Sequence, residues 1–381
     1  MTSLKLDEPG KFSPVVDDGP LRLVVAGAGP MGKRWIDAIA RNREVDLVGV
    51  ADLVPEVAER ALTELGVEAR VGSDATELAT ELGAHAIVDA TVPTAHHAVT
   101  WKALRAHIPV LGEKPAAATA AQALSLAATA RDSGTLFVVS QSRRYNRNVH
   151  ALRGTARAVG EVGIISVQFF RAPHFGGFRE SMSHPLLLDM AIHPFDTARY
   201  LLDAEPVSVV CEEFNPSWSW YAGDASVVAT FTMSNGARLA YTASWCSPGL
   251  ETSWNGEWRL SGQRGTTLWD GEGAPRIQYD DGPEQVAEVP DVPGESIHGS
   301  LIEFVRTLRT GKATRGEIGE NIQSLLMVEA AVRASETGER VIIADLLNEA
   351  LADALHDEAD ASTRQVLENW SRNGLLARGK D

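Results

Sequence analysis

Six residues near the start of the chain, Gly27-Ala28-Gly29-Pro30-Met31-Gly32, have the spacing needed to cradle a dinucleotide pyrophosphate. Glycine at 27 permits a tight turn, at 29 it lets backbone approach the phosphates, and at 32 it lets a helix pack closely on a strand. The helix that follows would aim its unpaired N-terminal N–H groups at the negative charge. Asp52 comes twenty residues after Gly32, at the end of the next strand, where a carboxylate can accept hydrogen bonds from the adenosine ribose hydroxyls. That carboxylate would repel a 2'-phosphate, and Leu53 offers no cation, so NAD is predicted over NADP. Lys33 and Arg34 nearby pull the other way. Asp52 also suits a plainer role, capping the turn before Pro55.

The elements that must position this loop are legible as apolar periodicity. Leu21 to Ala26 reads as a strand entering the loop, and Met31 to Ala40 as the helix leaving it. Strands at Asp46 to Ala51, Ala86 to Thr91, Pro109 to Leu111 and Leu136 to Ser140 then alternate with helices at Pro55 to Leu65, Thr94 to Ala106 and Thr119 to Arg131. This alternation predicts a parallel, doubly wound α/β sheet. After about Gln141 strands follow one another, at Ile164 to Arg171, Val207 to Glu213, Ser226 to Met233, Arg238 to Trp245, Trp258 to Ser261 and Thr266 to Trp269. Helical patterns at Pro185 to Leu202, Leu301 to Leu308 and Gly319 to Ser335 accompany them, so the second half reads as α+β with a large, mainly antiparallel open sheet. The expected division is an N-terminal arm over 1–20, a dinucleotide-binding domain over 21–142, a substrate and oligomerisation domain over 143–343, and a helical extension over 344–381.

Three further stretches join the glycine loop: Ala90-Thr91-Val92-Pro93 with His96, then Glu113-Lys114-Pro115, then Asp189-Met190-Ala191-Ile192-His193. In order and spacing the chain from about Leu21 to Ile343 resembles the glucose-fructose oxidoreductase, inositol dehydrogenase and rhizopine-catabolism (Gfo/Idh/MocA) family. The resemblance implies that Lys114 and His193 face the nicotinamide and the reacting carbon, with Asp189 beside them. It also implies that Thr91, Pro93, His96, Glu113 and Lys114 adjoin the cofactor, together with Gly27, Gly29, Pro30, Met31, Gly32 and Asp52. The chemistry asks for the same residue types. A secondary alcohol must lose its hydroxyl proton as hydride leaves carbon, which suits a histidine, and an ammonium can stabilise the developing alkoxide. Plainer readings compete: a solvated loop lysine, a helix-surface Asp/His pair at i and i+4, and a helix-surface His96. Pro194 removes the N–H that would bond Met190 and predicts a kink at His193.

Arg143 to Asn146 fall where the first half hands over to the second, and Arg144 and Tyr145 are candidates for substrate contact or for the domain interface. Arg171, His174 and Arg179 lie on the loop leading to Asp189 and are further substrate candidates. Six of the nine tryptophans, Trp218, Trp220, Trp245, Trp254, Trp258 and Trp269, fall in the sheet region, as core, as interface, or as platforms for sugar C–H faces. The predicted activity is NAD-dependent oxidation of a sugar, inositol or related polyol. The alternatives are a redox-assisted glycosidase and a nucleotide-binding regulator without turnover.

A formal charge of -16 would repel nucleic acid and anionic membranes. No apolar run approaches the roughly 20 residues of a membrane span. Cys211 and Cys246 are too few for a disulfide framework or a cysteine-rich zinc site, so no metal is expected and a reducing cytoplasm fits. The first twenty residues read as a mobile arm. The resemblance implies a homodimer or homotetramer formed through the open sheet.

Overall fold

The computed structural model describes residues 3–4, 12–15, 18–312, 314–373 and 376–377. Strands β1 (Leu21–Ala26), β2 (Val45–Ala51), β3 (Arg70–Gly72), β4 (Ala86–Asp89), β5 (Val110–Gly112) and β6 (Phe137–Val139) form a parallel sheet in the order β3-β2-β1-β4-β5-β6. Helices α1 (Pro30–Ala40), α2 (Pro55–Leu65), α3 (Ala75–Leu82), α4 (Pro93–Arg105) and α5 (Ala120–Ser133) connect them. The central strands carry apolar residues on both faces, as helices on both sides require. The order reverses between β1 and β4, and the glycine loop leaves β1 at that switch point, where such sheets bind ligands. Strand β3 and helix α3 had no expectation behind them. β3 has only three residues, and α3 is short, capped by Asp74 accepting from the N–H groups of Thr76 and Glu77.

Helix α6 (Arg147–Ala158), also unexpected, leads into the second sheet. Its strands are β7 (Val162–Phe170), β8 (Pro206–Phe214), β9 (Ser226–Met233), β10 (Arg238–Ser244), β11 (Glu257–Gly262), β12 (Gly265–Trp269), β13 (Arg276–Tyr279), β14 (Gln285–Val286) and β15 (Val341–Ile342). They lie in the order β14-β13-β12-β11-β7-β10-β9-β8-β15, antiparallel except for the pair β7 and β10. Helices α6, α7 (Ile192–Leu202) and α9 (Ile318–Thr337) cover one face. On the other, Ile164, Val210, Phe214 and Val228 are exposed.

Two boundaries differ from expectation. Helix α8 (Ser296–Thr310), assigned by sequence to the second half, packs Ile297, Leu301, Phe304, Val305 and Leu308 with β1, α1 and β6 of the first. It completes the helical cover of the parallel sheet on the face where α1 and α2 reach only part of the strands. The expected free arm is also corrected over residues 12–15. Phe12 and Val15 pack on this same cluster, and the Val15 N–H donates to the Leu308 carbonyl at 2.8 Å. Apart from Ser3–Leu4, residues 1–11 lie outside the described residues.

The C-terminal segment forms α10 (Ile343–Asp357) and α11 (Ala361–Asn373), which pack against α5 and bury Leu347, Leu367 and Trp370. Arg105 binds Asp132 and Asp360, and the Ser125 hydroxyl donates to Glu358 at 2.7 Å. Among the described residues no helix is long and apolar enough to cross a membrane.

Candidate functional site

The glycine loop is tight enough to exclude side chains at two of its three glycines. Gly27 has φ of +86°, and a Cβ there would lie 2.9 Å from the Ala90 carbonyl oxygen. A Cβ on Gly32 would lie 1.9 Å from the Gly27 carbonyl oxygen. Around a Cβ on Gly29 there is open space, which leaves the backbone there approachable. Pro30 opens α1 at the position where its missing N–H costs nothing. Met31 packs on the cluster beneath the loop. Asp52 serves the loop directly, its two carboxylate oxygens accepting from the N–H groups of Ala28 at 2.9 Å and Val54 at 3.0 Å. The turn-capping reading of Asp52 is therefore realised, and a second lone pair on each oxygen leaves room for ribose hydroxyls.

The next strand ends hold the other side of the cleft. Thr91 hydrogen-bonds Asp89 through both its N–H and its hydroxyl, which fixes the turn before Pro93, the first residue of α4. His96 is neither a surface residue nor free to reach outward. It is buried, with Nδ1 at 2.7 Å from the Pro115 carbonyl and Nε2 at 3.0 Å from the Thr91 carbonyl, tying two cleft-lining turns together. Glu113 accepts from the Trp35 indole N–H at 2.8 Å. Burial pushes its carboxyl above the usual range, opposed by that indole and by the charge of Lys114. The following Lys114–Pro115 peptide is cis.

Lys114 crosses to the second half of the molecule. Its ammonium donates to the backbone carbonyl of Asp189 at 2.8 Å and lies 3.5 Å from that residue's carboxylate. Asp189 sits in a π-helical turn, Leu187–Ala191, that runs into α7 just before Pro194. The kink expected from Pro194 takes this form, a widened turn where proline cannot supply the regular hydrogen bond. Arg179 donates to the other Asp189 oxygen at 2.6 Å, so one carboxylate is held between two cations. His193 lies beyond, with Nδ1 fully buried and without a hydrogen-bond partner. Burial holds its pKa well below 6.5, and the charges of Arg143 and Lys114 lower it further. A neutral imidazole beside an ammonium can take a proton from an alcohol while the ammonium faces the alcohol oxygen.

The remaining sequence candidates separate. Arg144 is corrected as a substrate contact: it is buried in a bidentate pair with Asp196, at 2.6 and 2.7 Å, and also binds Glu320 and the Arg315 carbonyl. Tyr145 is likewise turned away, its ring packed near Gly299 of α8. Arg143 instead brings its charge near enough to His193 to lower that imidazole's pKa. The reason is local: Ser142–Tyr145 is a 3-10 turn, in which successive side chains point about 120° apart. Arg171 is held by Glu251 at 2.8 Å and lies over the Trp254 ring, and His174 stacks on Trp220 at 3.8 Å. Arg179 alone of these three touches Asp189. The tryptophans divide too: Trp245, Trp258 and Trp269 are core, Trp218 is exposed, and Trp220 and Trp254 belong to the aromatic loop region. Tyr241, buried on β10 and electrostatically coupled to Arg143, had no sequence signal.

Comparison with known proteins agrees with this architecture. The family model described as oxidoreductase family, NAD-binding Rossmann fold, matches residues 21–141, and the GFO/IDH/MocA C-terminal domain matches residues 154–268. The uncharacterized protein y4oX of Sinorhizobium fredii is 26% identical over 342 residues, 84% of this chain and 95% of that protein. Inositol 2-dehydrogenase of Rhizobium meliloti is 31% identical over 193 residues, 50% of this chain and 57% of that enzyme. Among solved structures, an oxidoreductase from Agrobacterium radiobacter in complex with NAD+, L-tartaric acid and magnesium superposes with a TM-score of 0.77 at 18% identity, covering 86% of this chain and 99% of that one. An inositol dehydrogenase homolog from Azotobacter vinelandii complexed with NADH and myo-inositol gives 0.71 at 19% identity, covering 85% and 98%. With its glycine loop at the switch point of a parallel sheet and its lysine, aspartate and histidine gathered from both halves, the chain belongs to the Gfo/Idh/MocA family of NAD-binding oxidoreductases.

Proposed function

We propose that the protein interconverts a secondary alcohol and a ketone on a sugar, inositol or related polyol, using NAD. The observation that carries this reading is the junction of Lys114 from the first half with Asp189 and His193 from the second, at the cofactor end of the parallel sheet. A nicotinamide bound along Gly27 to Gly32 supplies hydride acceptance or donation. Asp52 and the loop hold the adenosine and pyrophosphate end, and Thr91, Pro93, Glu113 and Lys114 line the path toward the reacting carbon. His193, neutral at physiological pH, takes the hydroxyl proton as the C–H bond breaks and returns it in reduction. Lys114 holds the oxygen that becomes negative in the transition state. Asp189 and Arg179 are positioning residues, the carboxylate fixing the ammonium and the guanidinium fixing the carboxylate.

Residues 21–142, joined by α8, form the cofactor half, and the rest of 143–343 forms the substrate half. The exposed apolar residues of the open sheet, Val210, Phe214, Val228 and Ile164, support a homo-oligomer built through that face. The two unpaired cysteines support a reducing cytoplasm.

The test is NADH formation by purified protein across a panel of sugars, sugar acids, inositols and glycosides. Dehydrogenation of at least one member is expected. Release of an aglycone from a glycoside without net NADH, or no turnover and no stabilisation by NAD, overturns the reading.

A further inference from the structure

The cleft contains a cation with no counter-charge. Among the described residues Arg143 has no carboxylate within ion-pair reach, and its side-chain contact is Nη2 at 3.7 Å from the Met190 sulfur. The neighbouring arginines are all neutralised: Arg144 by Asp196 and Glu320, Arg171 by Glu251, Arg179 by Asp189. Burial lowers the Arg143 guanidinium to about 10, which still leaves it charged at neutral pH. Arg143 is half-buried, and a charge drawn partly out of water without a partner is costly to the fold. The groups around it do not supply one. Tyr241 is fully buried with its hydroxyl unpartnered, and burial raises that hydroxyl, so it stays neutral. His193 is neutral as well, and its Nδ1 is unpartnered. Lys114 and Arg179 share one carboxylate, Asp189, which leaves none for Arg143, in a chain whose net charge is -16.

A neutral polyol would satisfy hydrogen bonds here but leave the guanidinium unbalanced. We propose that the substrate is a polyol bearing a carboxylate, a uronate or aldonate, whose carboxylate pairs with Arg143 while its secondary alcohol lies at Lys114 and His193. The planar guanidinium fork matches a carboxylate, and the single charge of Arg143 matches a monoanion, while Lys114 is engaged by the alcohol oxygen. This inference rests on the dehydrogenase reading above and narrows its substrate class.

The experiment uses the full-length protein with NAD and matched substrates: D-glucuronate, D-galacturonate and D-gluconate against D-glucose, D-galactose and myo-inositol, with D-glucose 6-phosphate as a phosphate control. At least one acid is expected to exceed its neutral counterpart in kcat/KM by on the order of 100-fold, the scale of a desolvated charge pair. Arg143→Gln should collapse that ratio, chiefly through KM, and Arg143→Lys should recover part of it. Thermal stabilisation by each compound in the presence of NAD gives a second readout that does not need turnover, and Arg143→Lys carries the comparison if Arg143→Gln does not fold. Neutral sugars used as well as acids, a preference for the phosphate, equal loss on acids and neutral sugars in Arg143→Gln, or no acid that binds or reacts overturns the proposal and leaves the dehydrogenase reading standing. Absence of any NAD binding overturns that reading, and the substrate class with it.

Discussion

The chemistry of the cleft turns on how two residues are held. Lys114 donates one hydrogen bond to the Asp189 carbonyl, which fixes its ammonium and leaves two N–H bonds for substrate. Lys114→Met should lower kcat by on the order of 100- to 1000-fold, as loss of an oxyanion donor does, with NAD binding retained in a fluorescence titration. A loss confined to NAD affinity would assign the lysine to the cofactor instead. His193 must be neutral to accept a proton, and burial, Arg143 and Lys114 all depress its pKa. Oxidation should therefore fall only as pH drops below His193's ordinary value, so the acid limb of kcat/KM lies under about pH 6.5. Removing the Arg143 charge relieves part of that depression, so Arg143→Gln should move the acid limb to higher pH. A limb that stays put would mean that another group titrates.

At the scale of elements, the loop and the helix contacts set the tolerance to change. Gly32→Ala would drive a methyl into the Gly27 carbonyl at 1.9 Å, and relief requires α1 to move off β1. We expect a loss of about 1–3 kcal/mol of stability, typical of overpacking, and loss of NAD binding, both measurable by thermal unfolding with and without NAD. Unchanged NAD affinity in this variant would argue against the loop as the pyrophosphate site. A second element-scale case is Glu329 on α9, which accepts from the Ala120 N–H at the start of α5. Burial raises its carboxyl to about 7, with Ala120 and Arg333 opposing. Its folded pKa thus exceeds the unfolded value of about 4.3, so its contribution is fully present below about pH 4.3 and is lost as pH rises through the folded value. Glu329→Gln keeps the acceptor and removes the titration, so its Tm advantage over wild type should grow from about pH 5 to pH 8. An advantage independent of pH would mean that the carboxyl is not buried in solution.

At the scale of the whole molecule, the open face of the second sheet has no covering layer among the described residues. Val228 and Phe214 lie on that face beside Val210, with Trp218 following β8. If a second copy covers it, Val228→Asp should shift the light-scattering mass toward the monomer without lowering NAD affinity, because the glycine loop lies on the other half. An unchanged mass would place the oligomer contact elsewhere. The two halves are also more interleaved than a linear division suggests. Phe12, Val15 and α8 serve the first half, while α10 and α11 return from the far end of the chain to α5.

Much of this was legible in the sequence because the signals are local. Gly27, Gly29 and Gly32 state their requirement within one turn, β1 and α1 flank them with clear periodicity, and the order of Lys114, Asp189 and His193 follows a family pattern. The short strand β3 was not legible, since three residues give little periodicity, whereas α3 and α6 each carry an apolar face in the sequence and went unassigned. The tertiary structure decided which neighbours a side chain meets. It turned Arg144 into a buried partner of Asp196 and Arg143 toward His193, because adjacent residues of a 3-10 turn diverge. It made His96 a tie between two carbonyls, and among the described residues it left the Arg143 guanidinium without a carboxylate. Charge balance is a property of space rather than of spacing along the chain, and only the folded molecule brings Lys114, Arg143, Arg179 and Asp189 close enough for that balance to be counted.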